Sequence, residues 1–359
     1  MKKCNMQRMG VIICVSLTAA VAQAVQKYQV IDLGQGYWPQ SFNENGQVVL
    51  LQSGSAFNSL SRLSLWQNGQ TTPLYQTYDW IQRAVINNSG TIAASVAGDY
   101  GSSSYSLVIN GDRTETLPSV YSWDMNDSGQ ISSATWDSVT ERHYTHLRNP
   151  DGSLLDCDNA LDFFTTGVSI NNHGQIAGAS GNTNDDFSAF VWDPVTGKRY
   201  LSPLAGDFGA LGMDINAAGM VVGYSAVSMG SFPEGWDWNL VMWDADGQIT
   251  ELGCKLNPMG KSVSLNDAGQ FVGSFKLPED SDFFPYFRDE ASGFIDAQDL
   301  LDDDSPWTIT SLTQINNLEE IIGIAIIDGQ PHGVLLIPIP EPGTLSLVFL
   351  GMVLLRKTR

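Results

Sequence analysis

His143 and His146 stand three residues apart, near enough in sequence to share a metal ion or pass a proton. On a strand, however, residues three apart point to opposite faces, so the two do not read as one site. His173 falls in a polar turn, and His332 lies near the C-terminal end. Asp244-Ala245-Asp246-Gly247 and Asp302-Asp303-Asp304 present oxygen ligands of the kind calcium takes. The first lacks the full EF-hand ligand set and its terminal Glu. The second follows "DAQDLL" and reads as a solvated loop. The chain contains no G-x-S-x-G elbow, no H-E-x-x-H pair and no phosphate loop. A glycosidase needs only two carboxylates, which can come from distant parts of a chain. With 39 acidic residues such a pair is left open, and no local signature marks one. Sequence therefore assigns no catalytic residue, no metal site and no cofactor, with calcium at the two acidic loops left open.

Of the four cysteines, Cys4 and Cys14 lie in the N-terminal segment that reads as a leader. Cys157 and Cys254 remain, and in an oxidising compartment they can pair or stay apart. There is no C-x-x-C for a redox or zinc site.

The elements that must position any chemistry are repeats. Seven Asn anchors recur, at Asn43, Asn87, Asn126, Asn171, Asn216, Asn266 and Asn316. The residue before each is large and apolar. Three places on stands Gly46, Gly90, Gly129, Gly174, Gly219 and Gly269, with Glu319 as the one exception. Five places on, every residue is apolar. Asn bonds its own backbone two residues on and starts a turn; Gly supplies a positive φ at the turn exit. Asn171 with Gly174, Asn216 with Gly219 and Asn266 with Gly269 are therefore read as turn-forming residues. Seven places on, six of seven residues are small, which signals close backbone approach; crowding around a central channel would account for it. Each copy has a second half built as strand, polar Gly turn and strand. Trp66, Trp192 and Trp243 share one place in it and read as packing between units. Four short strands per repeat are the content of one propeller blade. The expected fold is an all-β, seven-bladed β-propeller over residues 25–337. Tyr28–Gly34, resembling a fourth strand, is expected to complete the last blade beside "PHGVLLIP" (331–338) and close the ring.

The ends read as addresses. Lys2, Lys3 and Arg8 precede an apolar run and an A-x-A site, Ala22-Gln23-Ala24, so residues 1–24 read as a secretory signal peptide cleaved after Ala24. Residues 338–359 hold Pro340-Glu341-Pro342, an apolar stretch at 345–355 that reads as a short membrane helix, and a basic end. Three of the 18 basic residues lie in the leader and three at the C-terminal end. The chain between carries 12 against 39 acids, a net charge of −27. Such acidity argues against nucleic acid and anionic membrane surfaces as partners.

That C-terminal pattern resembles the PEP-CTERM sorting tail of Gram-negative bacteria. The resemblance implies recognition by an exosortase near Pro340, Glu341 and Pro342, and a host that makes exopolysaccharide. It implies export through the inner membrane to the envelope, surface or extracellular matrix, with membrane association through the C-terminal helix. The repeat resembles the HAF-type extracellular repeat, carried by "SAFVW" (188–192), "VIDLG" (30–34) and "INNHGQIAG" (170–178). The expectation for function is a non-catalytic surface or matrix protein that binds or organises extracellular polysaccharide. Two alternatives stand beside it: a glycan-cleaving hydrolase or lyase working on one propeller face, and a self-associating coat protein.

Overall fold

The computed structural model describes residues 25–340 apart from 53–59, 98–103, 119, 138–141, 158–163, 184–185, 230–235, 257–262 and 281. The leader with Ala22 and Ala24, the tail residues Glu341 and Pro342, and the apolar stretch 345–355 lie outside the described residues. Among those described, no helix is long and apolar enough to cross a membrane.

The described chain is all β apart from one 3-10 turn, Ala297–Leu300. Every strand pairing is antiparallel, and most join strands that are consecutive in the chain. One sheet, for example, runs Trp38–Phe42, Val48–Gln52, Ser61–Gln67 and Gln70–Thr77. There are five four-stranded sheets and one of eight among the described residues. The large sheet is two such units joined at one edge, where Ile249–Leu256 runs far enough to pair Lys255 with Lys276 and Leu256 with Phe275. The sheet that holds the C-terminal strands takes its fourth strand from the other end of the chain. Tyr28–Gln35 lies against Gln330–Pro338, with Tyr28 opposite Pro338 and Gln35 opposite His332. This is a β-propeller-like fold.

Apolar residues of neighbouring sheets meet face to face. Leu147 from one sheet joins Ile170, Ile176, Phe190 and Trp192 of the next, all buried. Trp243 is wholly buried beside Ala177 and Val191, and its indole N–H donates to the Ser202 carbonyl at 2.9 Å. Trp66 packs beside Leu335 and Ile322 of the closing sheet. The three tryptophans are therefore packing residues between sheets, and truncating one of this kind costs about 3–5 kcal/mol. Cys157 and Cys254 are both buried and form no disulfide. They lie in different apolar clusters, and burial pushes the Cys254 thiol up to about 12.

"DAQDLL" forms the 3-10 turn, with Ala297, Leu300 and Leu301 fully buried, and Asp302, Asp303 and Asp304 after it are exposed, in keeping with a solvated loop. One local expectation changes. Of the small residues seven places after Asn, Ser133, Gly178, Gly223 and Gly323 face a bulge within their own sheet, which accounts for them without crowding at a channel. The first strand of the unit carries one extra residue, as between Gly212 and Asp214 or Leu312 and Gln314. Gly223 and Gly323 sit opposite those bulges, and a Cβ on either would overlap a carbonyl oxygen, of Leu211 or Ser311.

Candidate functional site

The Asn turns form a linked girdle. Asn171 accepts the N–H of His173 and of Gln175 on its side-chain oxygen, each at 3.0 Å. Its amide donates to the Gln175 side chain at 2.8 Å and sideways to the Asn216 carbonyl at 2.9 Å. The same sideways bond runs from Asn43 to Asn87, Asn87 to Asn126, Asn126 to Asn171, Asn216 to Asn266 and Asn266 to Asn316. The last step uses other atoms. Gln314 accepts the Phe42 N–H at 3.1 Å, and Asn317 donates to Glu44 at 2.9 Å. Gly174, Gly219 and Gly269 hold φ of 78°, 78° and 80°, and Glu319 holds 61° in the place where the other turns have Gly. The turns surround a cavity of about 180 Å³ on the axis of the girdle.

Below the girdle lies a column of polar side chains two places before each Asn. Ser41, Asp124, Ser169, Asp214, Ser264 and Gln314 occupy it, with Val85 the one apolar member. Ser41, Asp124, Ser169, Asp214 and Gln314 each directly follow a bulge in their strand, and bulges re-aim side chains. Ser41 accepts the Ile86 N–H and Ser264 accepts the Ile315 N–H. Asp124 accepts the Ile170 N–H at 3.0 Å and Asp214 the Leu265 N–H at 2.7 Å. Sequence reading passed over this column. Its signal is a polar residue recurring at one place of an otherwise apolar strand, which aligning the repeats on Asn displays.

Two members are carboxylates that meet across one hydroxyl. Ser169 Oγ lies 2.6 Å from Asp214 Oδ1 and 3.1 Å from Asp124 Oδ2. By the triangle inequality those two oxygens are no more than 5.7 Å apart. Both side chains sit deep on the axis yet keep partial exposure to the cavity. Burial raises both carboxyls. Asp214 is pushed up to about 6, and the neighbouring Asp124 charge adds to that rise. The Arg83 guanidinium opposes the rise at Asp124. A hydroxyl has one proton to give, so a proton on one carboxyl lets both contacts be hydrogen bonds. Asp214 protonated below about pH 6 and donating to Ser169, with Ser169 donating to Asp124, is one such arrangement. The three side chains can thus pass a proton between two carboxyls.

The other sequence candidates do not join it. His146 bonds Thr135 and Asp156, each at 2.9 Å, on an outer part of its sheet. His332 bonds Asp32 across the closing strand pair. Asp244 accepts the N–H of Asp246 and Gln248, so its oxygen caps its own turn. Asp302, Asp303 and Asp304 are exposed after the 3-10 turn. Among the described residues, no three His, Cys, Asp or Glu side chains are grouped to hold a metal ion. Pro340 is exposed at the end of the described chain.

The fold is shared with solved hydrolases. A puromycin-hydrolyzing peptidase of Mycobacterium tuberculosis aligns over 89% of this chain and 55% of its own, at 11% identity and TM-score 0.58. A puromycin hydrolase aligns over 85% and 52%, at 12% and 0.55. The acylaminoacyl peptidase of Pyrococcus horikoshii aligns over 88% and 54%, at 11% and 0.53. The chain thus spans about half the length of these proteins, and at such identities the likeness shows the fold. No protein-family model and no curated protein matches the sequence. The expectation of a non-catalytic surface or matrix protein is corrected by these neighbours. The structures that share its fold are peptidases and a hydrolase, and they fit the enzyme alternative better.

Proposed function

We propose that this chain is an exported hydrolase acting on glycans, with Asp124 and Asp214 as its acid and base. The observation that carries it is the Asp214–Ser169–Asp124 proton chain open to the axial cavity. Two carboxyls with opposed protonation states are what glycoside hydrolysis requires, and a separation of about 5–5.5 Å suits retention of configuration. In the proposed cycle neutral Asp214 gives its proton to the leaving oxygen. Asp124, whose charged form the Arg83 guanidinium favours against burial, attacks the sugar carbon as the leaving oxygen departs; water then gives a proton to Asp214 and displaces the Asp124 carboxylate from the sugar.

The scaffold is read as seven blades. The four-stranded sheets, the two-unit large sheet and the strand Tyr28–Gln35 support that reading. Export, cleavage after Ala24 and exosortase processing near Pro340, Glu341 and Pro342 are part of the same proposal, supported by the sequence patterns of both ends. An intact mass running from Val25 to near Pro340 in the envelope or medium supports the sorting route; one ending only at Arg359 in the membrane removes it.

The test of the chemistry uses serine, since Ser41 and Ser264 already accept the same backbone bond at this column. Asp124→Ser and Asp214→Ser should melt close to the parent and lose reducing-end release from polysaccharide by about a hundredfold or more. Retained release in both variants, or none from the parent on neutral and acidic polysaccharides alike, overturns the proposal. Cleavage of aminoacyl amides in place of glycans would replace the substrate class.

A further inference from the structure

A second pocket lies away from the Asn turns. There the first strands of three neighbouring units begin, at Trp38, Trp80 and Thr308, and they line a pocket of about 560 Å³. That is the size range of small-ligand sites. Trp38 is 45% exposed and Trp80 58%, although each belongs to a strand whose other end is buried. Between them the bulged side chains Gln40 and Gln82 and the nearby Thr313 supply polar atoms. Gln82 Oε1 is shielded from solvent and has no hydrogen-bond partner among the described residues. In a chain with 39 acids, no charged side chain stands among the described residues that line this pocket.

We infer that this pocket binds a neutral sugar unit. A cation would find no carboxylate and an anion no guanidinium or ammonium. A wholly apolar guest would leave Gln82 Oε1 desolvated and unpaired, at a cost of roughly 1–3 kcal/mol. A pyranose has an apolar C–H face for an indole and hydroxyls for the glutamines. It answers the features of the lining, including the buried Gln82 acceptor. The inference stands apart from the hydrolytic reading, because none of these residues belongs to the carboxylate column. Where both hold, the pocket takes another unit of the same glycan.

Intrinsic tryptophan fluorescence of the whole secreted chain, titrated with neutral hexaoses of glucose, mannose and galactose, tests it. Saturable binding of at least one is expected. Trp38→Ala and Trp80→Ala should weaken it by about tenfold or more, and Gln82→Leu by several-fold, with unchanged melting. Asp124→Ser should bind as the parent does, which separates loss of this site from loss of the hydrolytic one. No saturable signal with any hexaose overturns the inference. So does binding that survives both tryptophan variants, or preference for the matching uronic acid oligomer.

Discussion

The two ends of the units' first strands obey different rules. At the Asn end every unit repeats the same turn, and each turn bonds the next. At the other end two units contribute an exposed tryptophan and a glutamine each, Trp38 with Gln40 and Trp80 with Gln82, and a third contributes Thr310, Ser311 and Thr313. Repetition marks the end where units hold one another, since a change in one turn breaks two neighbours. Departure from repetition marks the end that is free to meet something else. The carboxylate pair lies between, where a structural column admits two residues that can also move a proton.

The sharpest way to break that contrast is to remove a packing tryptophan. Trp243→Ala should cost about 3–5 kcal/mol in denaturant unfolding, whereas Trp80→Ala, 58% exposed, should cost less than about 0.5 kcal/mol. Equal costs would erase the distinction. Asn171→Ala comes next. It removes four side-chain bonds within and between turns and should cost about 2–4 kcal/mol.

Asp214 sharpens the stretch between those ends. Its folded value of about 6 lies above the ordinary 3.8, so protonation favours the folded state. That contribution is complete below about pH 4 and is lost as the pH rises through 6. The margin of the parent over Asp214→Ser in thermal melts should therefore grow as the pH falls from 7 to 5. A margin that is flat across that range would place the carboxyl in ordinary solvent. The smallest effect is expected at Glu319, whose φ of 61° is unfavourable for a side chain. Glu319→Gly should gain about 0.5 kcal/mol, and a loss would show that its bond from Gln270 at 3.2 Å outweighs the backbone strain.

Much of the fold was legible because turns and strands are local. An Asn with Gly three places on dictates its own turn from six residues of sequence. Closure by Tyr28–Gln35 was legible because that strand resembles the fourth strand of a repeat. The site was not. Trp66, Trp192 and Trp243 drew attention by sharing a place, and sharing a place is what made them packing residues. Trp38 and Trp80 open strands whose starts follow no pattern, so nothing local announces their exposure. Asp124 and Asp214 were two acids among 39. Their raised protonation comes first from burial, and at Asp214 also from the Asp124 charge 90 residues away, which the fold brings close.

Tyr28–Gln35 is the first of the described strands and pairs with Gln330–Pro338, the last of them. The end of the pairing is fixed by the Ile339 N–H, which donates to the Lys27 carbonyl at 2.8 Å. This imposes a timetable on biogenesis. Until residue 338 has been delivered, the opening strand waits as an unpaired edge, and contacts so distant in sequence form slowly. A chain that stops before Gln330 never acquires the partner and keeps that edge exposed to other chains. Completion of the last sheet thus works as a length check, distinguishing finished molecules from truncated ones by whether their first strand has been covered.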